Sequence, residues 1–233
     1  MKCRILRHAA ASIDRRQPFV VKCAPLSRAV NSAVECHLHT VEATGSIPVP
    51  PTIRKGIRPA PDPFFIRAPD MKTLLVIYHS MTGGTEQMAR ALVEGAATEK
   101  NLATRLLHAS AAQATDVLAA DAYVFATPEN LAAVSGLMKD FFDRCYYPAL
   151  DLINGRPYAA LVCAGSDGQN AVRQIERIAA GWRLRQVADP LIVCTRAQTP
   201  EQILAPKAIG AADLDRCREL GATLASGLAM GVF

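Results

Sequence analysis

The sequence predicts an α/β protein in which a doubly wound parallel sheet carries helices on both faces. Residues 71–233 contain short, continuous apolar runs, which are typical of parallel strands buried on both faces. Segments with apolar residues at helical spacing separate these runs. Five strands that alternate with five helices specify this architecture, and the segment is long enough to bury a full core.

The strands and helices follow from these two patterns in chain order. The first strand, Thr73 to Tyr78, is an unbroken β-rich run. The other predicted strands are 103–107, 123–126, 158–164 and 191–194, and the predicted helices are 88–97, 111–120, 137–147, 168–181 and 211–229. In such sheets ligands bind beyond the carboxyl ends of the strands. The turns after the first, third and fourth strands are therefore the candidate site.

Residues 1–70 differ from the rest of the chain in charge and in proline content. They hold 11 Lys and Arg against 5 Asp and Glu and 9 of the 15 prolines, whereas residues 71–233 hold 15 against 16. The net charge of +5 therefore belongs to the first segment and predicts neither a nucleic-acid partner nor a membrane partner for the remainder. The segment lacks periodicity, which indicates a disordered extension with an extended, proline-rich linker at 46–69. A transit peptide at 1–16 is an alternative.

A second interpretation is that residues 1–70 are a spurious translation across a transfer-RNA gene. The run Gly45-Ser-Ile-Pro48 can be written GGT TCG ATT CCC, the T-arm sequence. The run Asn31-Ser-Ala-Val-Glu35 can be written as a D-arm, and the two runs lie about as far apart as those arms. On this hypothesis Met71 is the true start of the protein.

Cysteine usage and hydropathy exclude several classes of protein. No run of 18 uncharged apolar residues occurs, so no membrane span is predicted. The 7 cysteines are widely spaced and form no C-x-x-C pair, which argues against a disulfide frame or a zinc site and favours a reducing, cytoplasmic location. His79 and His108 lack a third ligand at useful spacing and are interpreted as structural or solvated. The cysteines interpreted as core residues are Cys145, Cys163 and Cys194.

The first turn, residues 80–85, has the composition of an anion-binding loop. Its residues are Ser80, Met81, Thr82, Gly83, Gly84 and Thr85. Glycines permit unusual backbone conformations, free amides at a helix start point at an anion, and hydroxyls donate to phosphate oxygens. Neither G-K-[ST] nor G-x-G-x-x-G is present, which argues against a nucleoside triphosphate or a dinucleotide here. The alternative is an ordinary glycine turn capped by Thr82 or Thr85.

The third and fourth turns complete the predicted site. Pro128 is expected to end the third strand, and Ser135 to cap the next helix. Asp167 is expected to cap the helix after the fourth strand rather than to catalyse. Glu129 and Asn130 are also compatible with ordinary turn residues. The apolar face of the helix at 137–147 is interpreted as core, with part of it a possible dimer interface.

These motifs resemble those of one superfamily. The pattern Ser80-x-Thr82-Gly83-x-Thr85 after the first strand resembles the phosphate loop of flavodoxin-like proteins, which cradles the monophosphate of FMN. Pro128-Glu-Asn130 followed by Ser135-Gly136 resembles NAD(P)H-dependent FMN reductases and quinone reductases. The resemblance covers residues 71–233 and implies the strand order 2-1-3-4-5, FMN as cofactor and NAD(P)H as co-substrate. It implies cofactor contacts from all of the first turn and from Thr127, Pro128, Glu129, Asn130, Gly165, Ser166, Asp167 and Gly168.

Two functions follow from this resemblance. One is an FMN-dependent oxidoreductase that passes electrons from NAD(P)H to a quinone, flavin or similar small acceptor, with no catalytic side chain expected because the flavin carries the chemistry. The other is a flavodoxin-type electron carrier. Flavodoxins commonly enclose the flavin ring between aromatic side chains and are commonly acidic. Residues 127–136 and 165–170 contain no aromatic residue and residues 71–233 are nearly neutral, which favours the enzyme. The resemblance also implies self-association.

Overall fold

A computed structural model of the protein describes residues 71–233, so the predictions about residues 1–70 lie outside the described part. The strands are β1 (Lys72–Tyr78), β2 (Leu102–His108), β3 (Ala122–Asn130), β4 (Ala133–Val134), β5 (Pro157–Ala164), β6 (Arg185–Gln186) and β7 (Leu191–Cys194). The helices are α1 (Gly84–Ala96), α2 (Ala114–Ala119), α3 (Gly136–Ala149), α4 (Gln169–Gly181), α5 (Pro200–Leu204) and α6 (Ala211–Met230). Each of the ten predicted strands and helices is present, with bounds shifted by a few residues.

The five long parallel strands pair in the order β2-β1-β3-β5-β7, which confirms the predicted order 2-1-3-4-5. The edge beside β5 is shared by two short strands. The first, β6, pairs with Pro157 and Tyr158, and the second, β7, pairs with residues 161–164. Pro190 lies between them, at a point where its missing N–H removes no hydrogen bond from a continuous strand.

Two apolar clusters cover the two faces of the sheet. Leu74 and Val76 pack in the cluster that contains residues of α1 and α6. Leu75 and Ile77, the alternate residues of β1, pack in the cluster that contains residues of α2, α3 and α4. Because both faces are covered, the strands are continuously apolar rather than alternating. The predicted doubly wound architecture is confirmed.

Close packing of α1 against α6 fixes the helix that begins at the first turn. A methyl group at Gly95 would lie 1.9 Å from the carbonyl oxygen of Arg218, and one at Gly221 would lie 1.9 Å from that of Leu92. The two backbones are therefore in contact, and a side chain at either glycine would force the helices apart. This contact fixes the position of α1 and therefore of its N-terminus, which lies at the first turn.

The prediction that Pro128 ends the third strand is wrong, because β3 continues to Asn130. The carbonyl of Ala126 accepts from His79 N at 3.0 Å, so Ala126 directs its backbone groups toward β1. Backbone groups alternate between the two sides of a strand, so those of Pro128, two residues after Ala126, also point toward β1. Pairing of β3 with β1 has already ended there, at Tyr78. The missing N–H of Pro128 therefore costs no hydrogen bond, while the other side of β3 stays paired to β5.

Three short elements were not predicted, namely β4, β6 and α5. A capping signature for α5 is present in the sequence: Thr199 accepts from Gln202 N, Pro200 occupies the first turn, and the Gln202 side chain bonds back to Thr199. The two-residue strands have no periodicity to read. They form because neighbouring strands offer free backbone groups.

The apolar face of α3 is core, as predicted, except at Leu137, which was predicted to be buried but is 40% exposed. Met138, Phe141, Phe142 and Cys145 are buried, and Phe125 contacts both phenylalanines from the sheet. These side chains are therefore not available as an interface between copies. No helix within residues 71–233 has both the length and the apolarity that a membrane span needs.

Candidate functional site

The turns after β1, β3, β5 and β7 meet at the carboxyl edge of the sheet and line an open cleft with a volume of about 80 Å³. The cleft contains the predicted residues of the first turn except Gly83, and three of the third turn. Its lining residues are Ser80, Met81, Thr82, Gly84, Thr85, Pro128, Glu129, Asn130, Cys163, Ala164, Gly165, Thr195, Ala197, Ile203 and Lys207.

The first turn presents the open N-terminus of α1 to this cleft. Gly83 precedes the helix at φ 83°, a left-handed conformation that favours glycine, and no side chain caps the helix. The alternative in which Thr82 or Thr85 caps the helix is therefore wrong. Uncapped amides and the helix dipole together attract an anion.

Two neighbouring residues fit the same chemistry. Thr85 is 1% exposed, and its Oγ1 has no hydrogen-bond partner beyond a weak interaction with the Cys163 thiol. A methyl group at Gly84 would lie 2.8 Å from Cys163 Sγ, so this position accepts no side chain. The turn therefore offers a buried hydroxyl and bare backbone amides at one place.

The third turn is a β-hairpin rather than an irregular loop. Glu129 pairs with Val134 and Asn130 with Ala133, which leaves a two-residue turn. Leu131 and Ala132 occupy that turn with φ of 50° and 54°, the conformation of a type I′ turn. Neither residue favours positive φ, so the turn is strained, and the Leu131 side chain is fully exposed.

Polar side chains tie this hairpin to its neighbours. The Asn130 amide donates to Met81 Sδ of the first turn at 3.3 Å. Asn170 of α4 donates to the carbonyl of Ala132, and Gln174 accepts from Val134 N at 3.1 Å. The hairpin is thus held from both sides.

Glu129 caps α4 from across the site. Its Oε2 accepts from Gly168 N at 2.8 Å and its Oε1 accepts from Ala171 N at 3.3 Å. The expectation that Asp167 caps α4 is wrong. Gly168 precedes the helix at φ 86° and has no side chain of its own to cap it, and Asp167 lies exposed outside the helix. A carboxylate distant in sequence therefore does what the local sequence assigned to Asp167.

Five predicted residues do not line the cleft. The Thr127 hydroxyl is buried and bonds to Ser135 Oγ at 3.1 Å, while Ser135 accepts from Met138 N and caps α3 as predicted. Gly83 and Gly168 lie at helix starts. Ser166 and Asp167 are exposed. Contacts from these residues to a cofactor stay predictions.

The segment after β7 closes the cleft and was not predicted to take part. We call residues 195–209 the strap. Thr195, Ala197, Ile203 and Lys207 line the cleft from it. The parallel topology places the end of β7 at the same edge as the other turns, but no sequence motif marks these residues.

Charges at the cleft are few. Among the described lining residues, Lys207 is the one cation and Glu129 the one anion. Burial raises the pKa of the Cys163 thiol to about 11, and the positive charge of Lys207 lowers it in part. Cys163 is therefore a neutral thiol near pH 7 and is no candidate nucleophile.

The other cysteines and the histidines of residues 71–233 lie outside the cleft. Cys145 and Cys217 are buried, whereas Cys194 is exposed, so its interpretation as a core residue is wrong. Burial, followed by the charge of His108, lowers the pKa of His79. Within residues 71–233 no group of three His, Cys, Asp or Glu residues could hold a metal ion.

Comparison with solved structures supports this architecture. A flavodoxin from the domain Archaea superposes with a TM-score of 0.56 at 18% identity, over 67% of this chain and 98% of its own. A WrbA-like flavodoxin from Agrobacterium tumefaciens gives 0.53 at 20% identity, over 69% and 98%. Residues 71–233 have a flavodoxin-like fold.

Sequence comparison points the same way. Residues 109–198 match the family model described as NADPH-dependent FMN reductase. A flavodoxin from Aquifex aeolicus (strain VF5) is 37% identical over 98 residues, which are 42% of this chain and 53% of the relative. The chain thus spans about half the length of this curated relative. The resemblance inferred from the sequence is confirmed.

Proposed function

We propose that residues 71–233 bind FMN in the cleft and act as an NAD(P)H-dependent oxidoreductase that reduces a quinone, flavin or similar small acceptor. The single observation that carries the FMN proposal is the open N-terminus of α1 beside the buried hydroxyl of Thr85, which no oxygen or nitrogen atom of the described residues partners. A buried hydroxyl without a partner is costly unless a ligand satisfies it. The chemistry of these donors suits a phosphate.

Each part of the cleft has a role in this proposal. The hydroxyls of Ser80, Thr82 and Thr85 and the amides at the start of α1 would hold the phosphate. The hairpin and Gly165 would flank the flavin ring, mainly through main-chain groups. Bound FMN supplies the redox chemistry by accepting a hydride and passing electrons on. The protein binds and orients the reactants.

The types of residue that line the cleft favour an enzyme over a carrier. None of the described residues that line it is aromatic, so nothing there stacks over a flavin ring. Met81, which lines the cleft, is exposed, and so is Leu131, the next residue after the lining residue Asn130. A ring without an aromatic cover leaves room for a nicotinamide or a flat acceptor to stack.

The second candidate is a flavodoxin-type carrier. It is favoured by the curated relative and by the solved structures named as flavodoxins. The two candidates differ in one property, namely whether NAD(P)H reduces the bound flavin directly.

Stopped-flow mixing of FMN-loaded protein with NADH or NADPH tests that property. The proposal predicts loss of flavin absorbance at about 450 nm much faster than for free FMN under the same conditions. A rate equal to that of free FMN, with FMN still bound, would favour the carrier. Failure to bind FMN would reject both candidates.

Self-association and the boundary at Met71 are part of the same proposal. We expect copies to associate through a surface other than the buried face of α3, and sedimentation of FMN-loaded protein measures the assembly. We also expect residues 71–233 to contain the whole binding site.

A further inference from the structure

The strap is tied to the first turn by one side chain, that of Gln87 in α1. Gln87 Nε2 donates to the carbonyls of Gly83 at 3.0 Å and of Lys207 at 2.6 Å. Its Oε1 accepts from Ile209 N at 3.2 Å. Lys207 N also donates to the carbonyl of Thr82 at 2.8 Å. The strap and the first turn therefore form one hydrogen-bonded unit.

This arrangement holds the Lys207 side chain over the start of α1. A methyl group at Gly84 would lie 3.3 Å from Lys207 Cβ and 3.5 Å from its Cγ, so the stem of the lysine packs above Gly84. The ammonium donates to the carbonyls of Gln202, Ile203 and Ala205. These three acceptors fix the position of the charge.

The three carbonyls stabilise the Lys207 ammonium but leave its net positive charge in place. The N-terminus of a helix carries a partial positive charge, which repels a second positive charge nearby. Glu129, the one anion among the described lining residues, already accepts from two amides of α4. An anionic ligand at the first turn would be attracted by the helix and by Lys207 together.

Resting on the proposed function, we propose that Lys207 is the specificity residue that makes this cleft select a doubly charged phosphate, and that Gln87 is the positioning residue that holds Lys207 there. The hydroxyls and amides of the first turn bind phosphate without charge. Lys207 adds attraction that depends on the charge of the ligand. Selection of FMN over riboflavin, which lacks the phosphate, follows.

The test compares FMN with riboflavin on five variants of the full chain, with affinity measured by quenching of flavin fluorescence. Lys207→Met should lower the FMN affinity about tenfold while riboflavin changes less than about twofold. Lys207→Arg should retain most of the FMN affinity. The matched control is Lys100→Met, which removes an exposed lysine outside the cleft and should change neither ligand.

Salt dependence and a double variant separate a role in charge selection from a role in folding. Added NaCl up to about 0.3 M should weaken FMN binding in the parent more than in Lys207→Met, because screening acts on the charge that the variant lacks. Gln87→Ala should also lower FMN affinity, and its amide hydrogens at residues 207 and 209 should exchange faster. If Gln87 acts through Lys207, the double variant loses less than the product of the single losses.

Three results would overturn the inference alone. These are FMN binding that Lys207→Met leaves unchanged, equal weakening of FMN and riboflavin, and fully multiplicative effects of the two substitutions. A parent protein that binds no FMN overturns the proposed function as well.

Discussion

The first turn and the hairpin after β3 reach the same cleft by different physical means. The first turn is a local device. Gly83 adopts a left-handed conformation, and the next residues begin α1 with backbone N–H groups that no side chain caps. The hairpin depends on groups distant in sequence, since Glu129 caps α4 and Asn170 reaches back to Ala132. A local device is visible as a motif, whereas a device made of long-range contacts is not.

The difference predicts how each end of the cleft responds to substitution. A change in the first turn should alter affinity for the phosphate with little effect on folding. A change in the hairpin should alter stability and affinity together, because the same contacts hold both α4 and the site.

The largest effect is expected from a charge placed in the first turn. Gly83→Asp should weaken FMN binding by about 2–4 kcal/mol through repulsion of the phosphate, which is at least a tenfold loss. Gly83→Asn is the matched control, because it has the same shape and tolerates the same left-handed backbone without the charge. Titration with FMN and with riboflavin compares them. Equal riboflavin affinity in both variants is expected, and an equal FMN affinity would contradict a phosphate at this turn.

Removal of the distant cap should come next. Glu129→Ala deletes acceptors for two amides of α4 and should lower the free energy of unfolding by about 1–2 kcal/mol, measured by urea denaturation. FMN affinity should fall along with it. Asp167→Ala is the control, since Asp167 is exposed and caps nothing. A larger loss of stability from Asp167→Ala than from Glu129→Ala would show that the contacts of Glu129 contribute little.

Relief of strain in the hairpin should have the opposite sign. The double variant L131N/A132G gives the turn the residues that a type I′ conformation favours, and should raise stability by about 1 kcal/mol. Thermal unfolding measures the gain. Leu152→Asn is the control for removal of an exposed leucine. If Leu152→Asn raises stability as much, the gain comes from replacing an exposed leucine with a polar residue rather than from the turn.

The effect of pH on stability should be smaller and should depend on His79. Its pKa lies below the ordinary value of 6.5 in the folded protein, chiefly through burial. The unfolded chain therefore binds more protons between the two pKa values, and the free energy of unfolding falls as the pH drops below 6.5 and levels off below the folded pKa. His79→Phe should flatten this dependence in thermal melts between about pH 7.5 and 5. An unchanged slope would assign it to other groups.

The smallest effect is expected from deletion of residues 1–70. A chain that begins at Met71 should bind FMN with the affinity of the full chain and melt at the same temperature, because residues 71–233 contain both apolar clusters and the cleft. Loss of binding on deletion would show that the first segment takes part.

By itself the sequence determined the fold class and, through its resemblance to a known superfamily, the strand order. It also indicated the first turn as an anion site, which stays a prediction. These properties depend on periodicity and on short motifs, which are local in the chain. Ser135 as the cap of α3 was also correct, because its partner Met138 lies within the same turn of helix.

Only the tertiary structure decided the rest of the cleft. It assigned the cap of α4 to Glu129 instead of Asp167, continued β3 through Pro128, and brought Lys207 over Gly84. In each case the partner lies far along the chain, and the pairing depends on which strand ends meet at one edge of the sheet. The partners in such hydrogen bonds and charge contacts are not separated by any fixed number of residues, so they can be identified only in the folded chain.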